Sequence, residues 1–359
     1  MDQEQALRAE IRAFLATQDF TPHCDSWMSS HSPEFSRALG RRGWIGMTWP
    51  QRYGGAARTE RERLVLVEEL LAAGAPVAAH WFADRQIGPA LLKHGTETQR
   101  AAYLPAITRG ECFFAIGMSE PDSGSDLASV RTRAVPTGDG WRISGTKVWT
   151  SHAHRAHHLL ALVRTSTGDT RHDGLSQLIV DLTAPGVQVR PIRSLDGDAH
   201  FAEVILDDVD VGPDALLGTE GRGWAQVTAE LAYERSGPER FLSTAPLLWA
   251  LARRTADPRL GGLFAELQTL RALATRVADA LQRGEAPAIE AALVKDLGTR
   301  FESRVVDLAR DLVPTEPDQH AGDDLARLLA EATLHGPDAT LRGGTNEILR
   351  GIVARSLVA

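Results

Sequence analysis

The sequence predicts an α+β protein in three parts. These are an α-helical N-terminal domain (1–115), a β-barrel or β-sandwich domain in the middle (116–215) and a C-terminal four-helix bundle (216–359). Three observations carry this. Apolar residues recur at helical spacing before about residue 115 and again after 218, with short β-rich runs and tight turns between. A chain of 359 residues also has room for two or three domains at roughly 100–200 residues each.

In the first part, Asp2 is placed to cap a helix that runs through Thr17, with Leu7, Ile11, Phe14 and Leu15 on one stripe. Pro33 after Ser32 suits the first turn of a short helix. Thr59 with Glu62, and Thr96 with Gln99, are capping boxes ahead of apolar runs that stop at Gly74 and Gly110. A turn-rich link, GWIGMTWPQRYGGA (43–56), lies between them.

The middle part offers strands at 131–135, 141–144, 147–151, 158–163, 175–182, 187–192 and 201–209. Turn signals stand at 138–140 (GDG) and 144–146 (SGT). The third part reads as amphipathic helices over 219–237, 246–255, 263–281 and 288–310. A polar loop with prolines follows (313–322), and a last helix opens near Thr345 with Ile348, Leu349, Ile352 and Val353.

Composition sets bounds. Apolar residues are 43% and charged residues 24%, which is the globular norm. The formal net charge is −8, so no basic face for nucleic acid is expected. No run reaches the ~18 apolar residues of a membrane span, and the first sixteen residues lack an apolar core with a cleavage site. Cys24 and Cys112 alone, without metal-ligand spacing, fit a reducing cytosol.

Four segments can carry chemistry. Met118-Ser119-Glu120-Pro121-Asp122-Ser123-Gly124-Ser125-Asp126 exposes hydroxyls and N–H groups to an acceptor-rich ligand, or else is a plain connecting loop. In Lys147-Val148-Trp149-Thr150-Ser151 a flat ring beside hydroxyls suits a planar cofactor, although taken alone the segment reads rather as an ordinary strand with a core Trp. Arg342-Gly343-Gly344-Thr345-Asn346-Glu347-Ile348 allows close backbone approach at a helix start, or is a flexible loop capped by Thr345. Glu230 and Glu234 share one helical face just before Arg235, in a charge run that is ordinarily a solvated face. His152, His154, His157 and His158 lack zinc spacing, and no metal is expected.

Taken together, these segments resemble the acyl-CoA dehydrogenase family over essentially the whole chain. The similar stretches are GWIGMTWPQRYGG (43–55), LPAITRGECFFAIGMSEPDSGSDLAS (104–129), GDGWRISGTKVWTS (138–151) and RGGTNEILRGIVARSL (342–357), in the family's order. The resemblance implies FAD, α,β-dehydrogenation of an acyl-CoA in fatty acid metabolism, a dimer or tetramer, and electron delivery to an electron-transferring flavoprotein. Cysteine usage, hydropathy and net charge lead to the expectation of a cytoplasmic protein with no membrane or nucleic-acid partner. The resemblance places Met118, Ser119, Trp149, Thr150 and Ser151 on the flavin, and Ser125 near FAD or the acyl-CoA phosphates. Thr345, Asn346 and Glu347 fall by the FAD adenosine and pyrophosphate. Arg235, Gly343 and Gly344 fall beside the acyl-CoA.

Two departures stand out. Many members carry the catalytic base where this chain has Gly343; a minority carry it on a C-terminal-domain helix before an arginine, the place of Glu234. Glu234 is therefore the expected base, with Glu239 second. The family's Arg-x-x-Phe-Gly and Gln-x-x-Gly-Gly segments are replaced by RRTADPRLGGLFAELQ (253–268) and ARDLVPTEPDQHAG (309–322). That resembles members in which a complete subunit pairs with a degenerate one. A non-catalytic or half-site partner subunit of a heterotetrameric acyl-CoA dehydrogenase, or a flavin oxidase or monooxygenase on the same fold, are the alternative readings.

Overall fold

The computed structural model describes residues 3–235, 237–313 and 316–358, with the side chains of 230–234 and 358 outside that description. Its helices and strands alternate in three stretches along the chain. First come α1 (Gln3–Leu15), α2 (Ser26–Ser29), α3 (Pro33–Arg41), α4 (Glu60–Ala72), α5 (Ala78–Phe82), α6 (Gly88–His94) and α7 (Glu97–Thr108). Then follow β1 (Phe114–Gly117), β2 (Arg133–Thr137), β3 (Gly140–Ser151), β4 (His158–Arg164), β5 (Leu175–Asp181), β6 (Val187–Ile192), β7 (Phe201–Val211) and β8 (Leu216–Leu217). Last are α8 (Gly223–Arg235), α9 (Ala245–Arg254), α10 (Arg259–Gln282), α11 (Ala288–Leu312), α12 (Asp324–Ala339) and α13 (Asn346–Val358). The chain gathers into two compact units: 1–31, 58–78 and 231–359 form a helical unit, and 32–57 with 79–230 form a sheet unit.

Local chemistry explains the boundaries. Both capping boxes form: the Thr59 and Thr96 hydroxyls accept the N–H of Glu62 and Gln99, whose side chains accept the cap N–H in return. Ser32 Oγ accepts from Phe35 N at 3.1 Å, with Pro33 at the first position of α3. The expected cap Asp2 lies outside the described residues, and α1 stops at Leu15, two residues short of Thr17. Its Leu7, Ile11 and Phe14 are buried, and α1 packs on α4.

In the sheet unit the strands run β6-β7-β3-β2-β4-β5-β8, with β1 parallel on β4. Ala115, Ile143, Leu159, Val180, Val204 and Val209 centre its core. The SGT segment, expected as a turn, is instead the middle of β3. Here Ile143 pairs with Val209 but Gly145 with Leu206, so β7 carries one extra residue and its Asp208 adopts φ +49°. A bulge thus absorbs the irregularity that sequence alone presents as a chain reversal. β1 was not expected, because FAIG has no alternation; three of its four residues are buried.

In the helical unit α10 buries Leu260, Leu263, Leu267, Leu270, Ala274 and Val277, a stripe at alternating three- and four-residue steps. α11 packs against α10, α12, α13 and α9. Its buried residues include Ala291, Lys295, Asp296, Gly298, Glu302 and Val305, so charges lie among the apolar side chains of its buried side. α12 was not expected, since a proline-bearing loop precedes it and Pro337 lies inside it; Leu325, Leu328, Leu329 and Ala332 nevertheless form its buried stripe. Among the described residues, no helix is long and apolar enough to cross a membrane.

Candidate active site

In the sheet unit the chain leaves β1 at Met118 and turns back along β3. Ser119 O accepts from Val148 N at 2.9 Å. Beneath this corner Lys147 is 0% exposed, and its Nζ donates to Met118 O (3.2 Å) and Glu120 Oε1 (2.8 Å). The Glu120 carboxylate also accepts the backbone N–H groups of Arg131 (2.6 Å) and Thr132 (2.9 Å). A buried ion pair is tolerable only when its remaining hydrogen-bonding capacity is filled in this way. Burial pushes the Glu120 acid up, but the Lys147 charge and the three donors outweigh it and hold it below the usual carboxylate range. Burial pulls Lys147 below the ordinary lysine range, with Glu120 opposing. The pair pins the backbone of Met118, Ser119 and Glu120.

Two residues beyond Lys147 the strand bulges. Lys147 pairs with Val204 and Thr150 with Ala202, leaving one residue too many on β3. Trp149 takes φ +58°, a left-handed conformation rare for a bulky side chain, and its side chain remains 59% exposed with Phe201 edge-on to the ring at 5.9 Å. The strained backbone holds a large flat ring out of the sheet, with most of its surface uncovered. Ser151 is half-buried. Thr150 departs from expectation: it is 0% exposed, and its Oγ1 finds no hydrogen-bond partner among the described residues. Strand alternation turns it into the unit's interior, away from Trp149.

Ser125 is exposed on the following loop. Reciprocal backbone bonds between Glu120 and Ser123 shape that loop, as do the hydroxyls of Ser123 and Ser129 on Asp126 O (2.8 and 2.7 Å). Arg171 pairs with Asp126 at 2.9 Å.

In the helical unit, buried cations surround the loop before α13. Gly343 and Gly344 have φ +69° and +89°. Arg235, 8% exposed, donates from Nε to Gly343 O at 3.0 Å. A Cβ at position 344 would lie 3.0 Å from Arg235 Nη2, so glycine is needed for space as well as conformation. Lys295, 0% exposed, donates to Thr340 O (3.1 Å), Gly344 O (2.9 Å) and Asn346 Oδ1 (2.8 Å). Arg342 grips Asp25 through both terminal nitrogens (2.7 and 2.6 Å) and lies over the Trp27 ring at 4.6 Å. Burial works against the Arg342 charge, but Asp25 more than compensates and raises its pKa above the ordinary value. The N–H groups of Gly343, Gly344 and Thr345 make no hydrogen bond among the described residues.

Asn346 also departs from expectation. It is 4% exposed, and its amide is held between Lys295 Nζ and Thr299 Oγ1, to which Nδ2 donates at 3.2 Å. Its hydrogen bonds point inward, which removes it from the ligand contacts expected of it. Thr345 is half-buried and Glu347 exposed in the first turn of α13. Glu347 is held below the usual carboxylate range by its own backbone N–H and the Thr345 hydroxyl. The backbone of Glu234 belongs to the last turn of α8, one residue before Arg235; its side chain, like that of Glu230, lies outside the described residues. Glu239 is 2% exposed in a short turn over Pro238–Arg240.

Among the described residues no group of three or more His, Cys, Asp or Glu can hold a metal ion. His157 instead accepts from Phe113 N at 3.0 Å, and both cysteines are free and buried. Sequence reading missed Lys295, Asp25 and Glu302. For Lys295 and Glu302 a signal was present: charges seven residues apart on the apolar stripe of α11. Glu302 accepts Ser243 N at 2.7 Å, and burial pushes its acid up to about 7 against the pull of Arg342.

The ring platform at Trp149, and the open N–H groups beside paired glycines, fit a planar group and an acceptor-rich one respectively. Family models described as the acyl-CoA dehydrogenase N-terminal, middle and C-terminal domains match residues 1–111, 115–209 and 250–358. Acyl-CoA dehydrogenase IpdE1 of Mycobacterium tuberculosis (strain ATCC 25618 / H37Rv) is 36% identical, with 100% of this chain and 98% of the relative covered. A solved structure titled Tcur3481-Tcur3483 steroid ACAD G363A variant is 30% identical at a TM-score of 0.85, covering 99% of this chain and 98% of that one. The ChsE4-ChsE5 complex from Mycobacterium tuberculosis is 28% identical at a TM-score of 0.83, covering 99% and 96%. The chain belongs to the acyl-CoA dehydrogenase family, flavoprotein oxidoreductases built from helical N- and C-terminal parts and a central sheet.

Proposed function

We propose that this chain is an FAD-dependent dehydrogenase that introduces the Cα–Cβ double bond of an acyl-CoA thioester, with Glu234 taking the Cα proton. The observation that carries this is the contact between Arg235 and the Gly343 carbonyl at 3.0 Å. It brings the end of α8 to the corner where many relatives keep their base and this chain has glycine. Position 343 has φ +69°, so a glutamate there would be strained.

The flavin, when bound, supplies the acceptor for the Cβ hydride. The chain's residues do the rest. Met118, Ser119, Trp149 and Ser151 offer the sheet unit's ring platform and hydrogen-bonding edge. Thr345 and Glu347 are proposed for the adenosine and pyrophosphate of FAD, of the same chain or a neighbouring one, and Ser125 for a phosphate or pantetheine group. The N–H groups of Gly343 and Gly344 would meet the thioester oxygen as it gathers charge; one such donor is worth about 3 kcal/mol. Arg235 holds that corner from behind. Electrons would pass on to an electron-transferring flavoprotein or a similar acceptor.

Glu234→Gln tests the base. Flavin bleaching by acyl-CoA under anaerobic conditions should slow by about 10²–10⁴-fold, with flavin content unchanged. Bleaching at the wild-type rate would remove Glu234 from this role. A panel should include ring-bearing acyl groups, because a similar solved structure is that of a steroid ACAD.

A second reading has its own support. The altered segments at 253–268 and 309–322, and likeness to a chain of a complex titled with two names, favour work as one subunit of a hetero-oligomer. Copurification with a homologous chain at fewer than one flavin per subunit would establish it.

A further inference from the structure

We infer that Lys295 is a positioning residue for the thioester-facing corner: its buried ammonium, drawing the Thr340 and Gly344 carbonyls and the Asn346 amide oxygen inward, aims the Gly343 and Gly344 N–H groups. This deepens the dehydrogenase reading and rests on it.

The argument starts from backbone accounting. A loop with two successive left-handed glycines cannot satisfy its own carbonyls by helix or sheet bonds, and buried carbonyls must be satisfied somehow. Lys295 Nζ takes two of them, at 3.1 and 2.9 Å, and a third acceptor at 2.8 Å. Lysine is suited to this because three donors radiate from one atom and match three acceptors. Its stem rises from the buried stripe of α11, between Ala291 and Gly298, and the helix backbone is therefore the fixed base from which the loop hangs. The Thr340 carbonyl so held also accepts from Asn346 N at 3.3 Å, closing the loop onto the start of α13. With carbonyls drawn to one side, the N–H groups of Gly343, Gly344 and Thr345 are left without partners among the described residues. Arg235 on the Gly343 carbonyl adds the same pull from α8.

The test compares wild type, Lys295→Met, Lys295→Arg and Asn346→Ala as purified holoprotein. Hydrogen exchange over residues 340–349 is measured without substrate. Flavin reduction is followed with butanoyl- to hexadecanoyl-CoA and one ring-bearing acyl-CoA. In Lys295→Met, exchange at Asn346 and Leu349 should rise at least tenfold. The reduction rate should fall at least 100-fold, while the acyl-CoA concentration for half-maximal rate shifts less than threefold. Lys295→Arg should restore part of both. Should Lys295→Met not fold, Asn346→Ala removes one acceptor of three and should raise exchange and lower the rate by a few fold. Unchanged exchange in both variants, or a loss confined to substrate affinity, overturns the inference. If wild type reduces with no acyl-CoA while exchange still rises in Lys295→Met, the dehydrogenase reading falls and the lysine's hold on the loop stands.

Discussion

Each unit hangs a non-repetitive loop on a fully buried lysine, and the two do it with different counter-groups. Lys147 in the sheet unit meets a carboxylate, Glu120, that belongs to the loop it holds. Lys295 in the helical unit meets two carbonyls and an amide oxygen. The first arrangement makes the loop's stability depend on charge pairing, the second on many-sided hydrogen bonding. The carboxylates follow suit: Glu120 beside Lys147 is held below its ordinary range, and Glu302 in the helical unit is pushed up to about 7. One protein thus titrates two buried acids in opposite directions.

The sharpest way to break this comparison is Lys147→Met. It strands an ionised Glu120, and unfolding free energy should drop by about 3–5 kcal/mol, read as a lower urea midpoint. Adding Glu120→Leu should recover most of that; no recovery would mean that charge pairing is not what holds this loop. A second test uses pH. The raised acid of Glu302 keeps its proton in the folded state between the unfolded value near 4.5 and about 7. Its stabilisation is complete below the lower value and is lost as pH climbs through the upper one, by up to about 3 kcal/mol. Glu120 has the opposite sign: its contribution is lost as pH falls below the ordinary carboxylate range. Glu302→Gln should flatten the slope between pH 5 and 8 and leave the acid limb intact. Next in size, Gly344→Ala demands an L residue at φ +89° against Arg235 and should cost about 1–3 kcal/mol. Thr96→Ala, which removes one hydroxyl from a capping box, should cost about 1 kcal/mol by thermal melting. The smallest effect is at Gly124→Ala, which has open space around it and should stay within about 0.5 kcal/mol.

Legibility followed the range of the interaction. Thr59, Thr96 and Ser32 announced helix starts because a cap acts within three residues. Strand positions were visible, but SGT at 144–146 was misread because a bulge depends on the partner strand, where Asp208 supplies the matching irregularity. The segments at 118–126 and 342–348 stood out by their glycines and hydroxyls. What held them did not: Lys147 looks like any surface lysine until its burial is known, and Lys295 is betrayed only by its place on the apolar stripe of α11. Asn346 and Thr150 were misplaced for the same reason: composition names a segment, and only the pairing decides which of its side chains face outward.

The grip of Arg342 on Asp25 joins residues 317 positions apart. A ribosome adding roughly 5–20 residues per second would expose the aspartate for some tens of seconds before its arginine is made. Until then the tryptophan beside it would have Arg240, made about a hundred residues earlier, but not Arg342 as a cation over its ring. Synthesis order alone therefore makes the glycine corner among the last pieces of this protein to take shape.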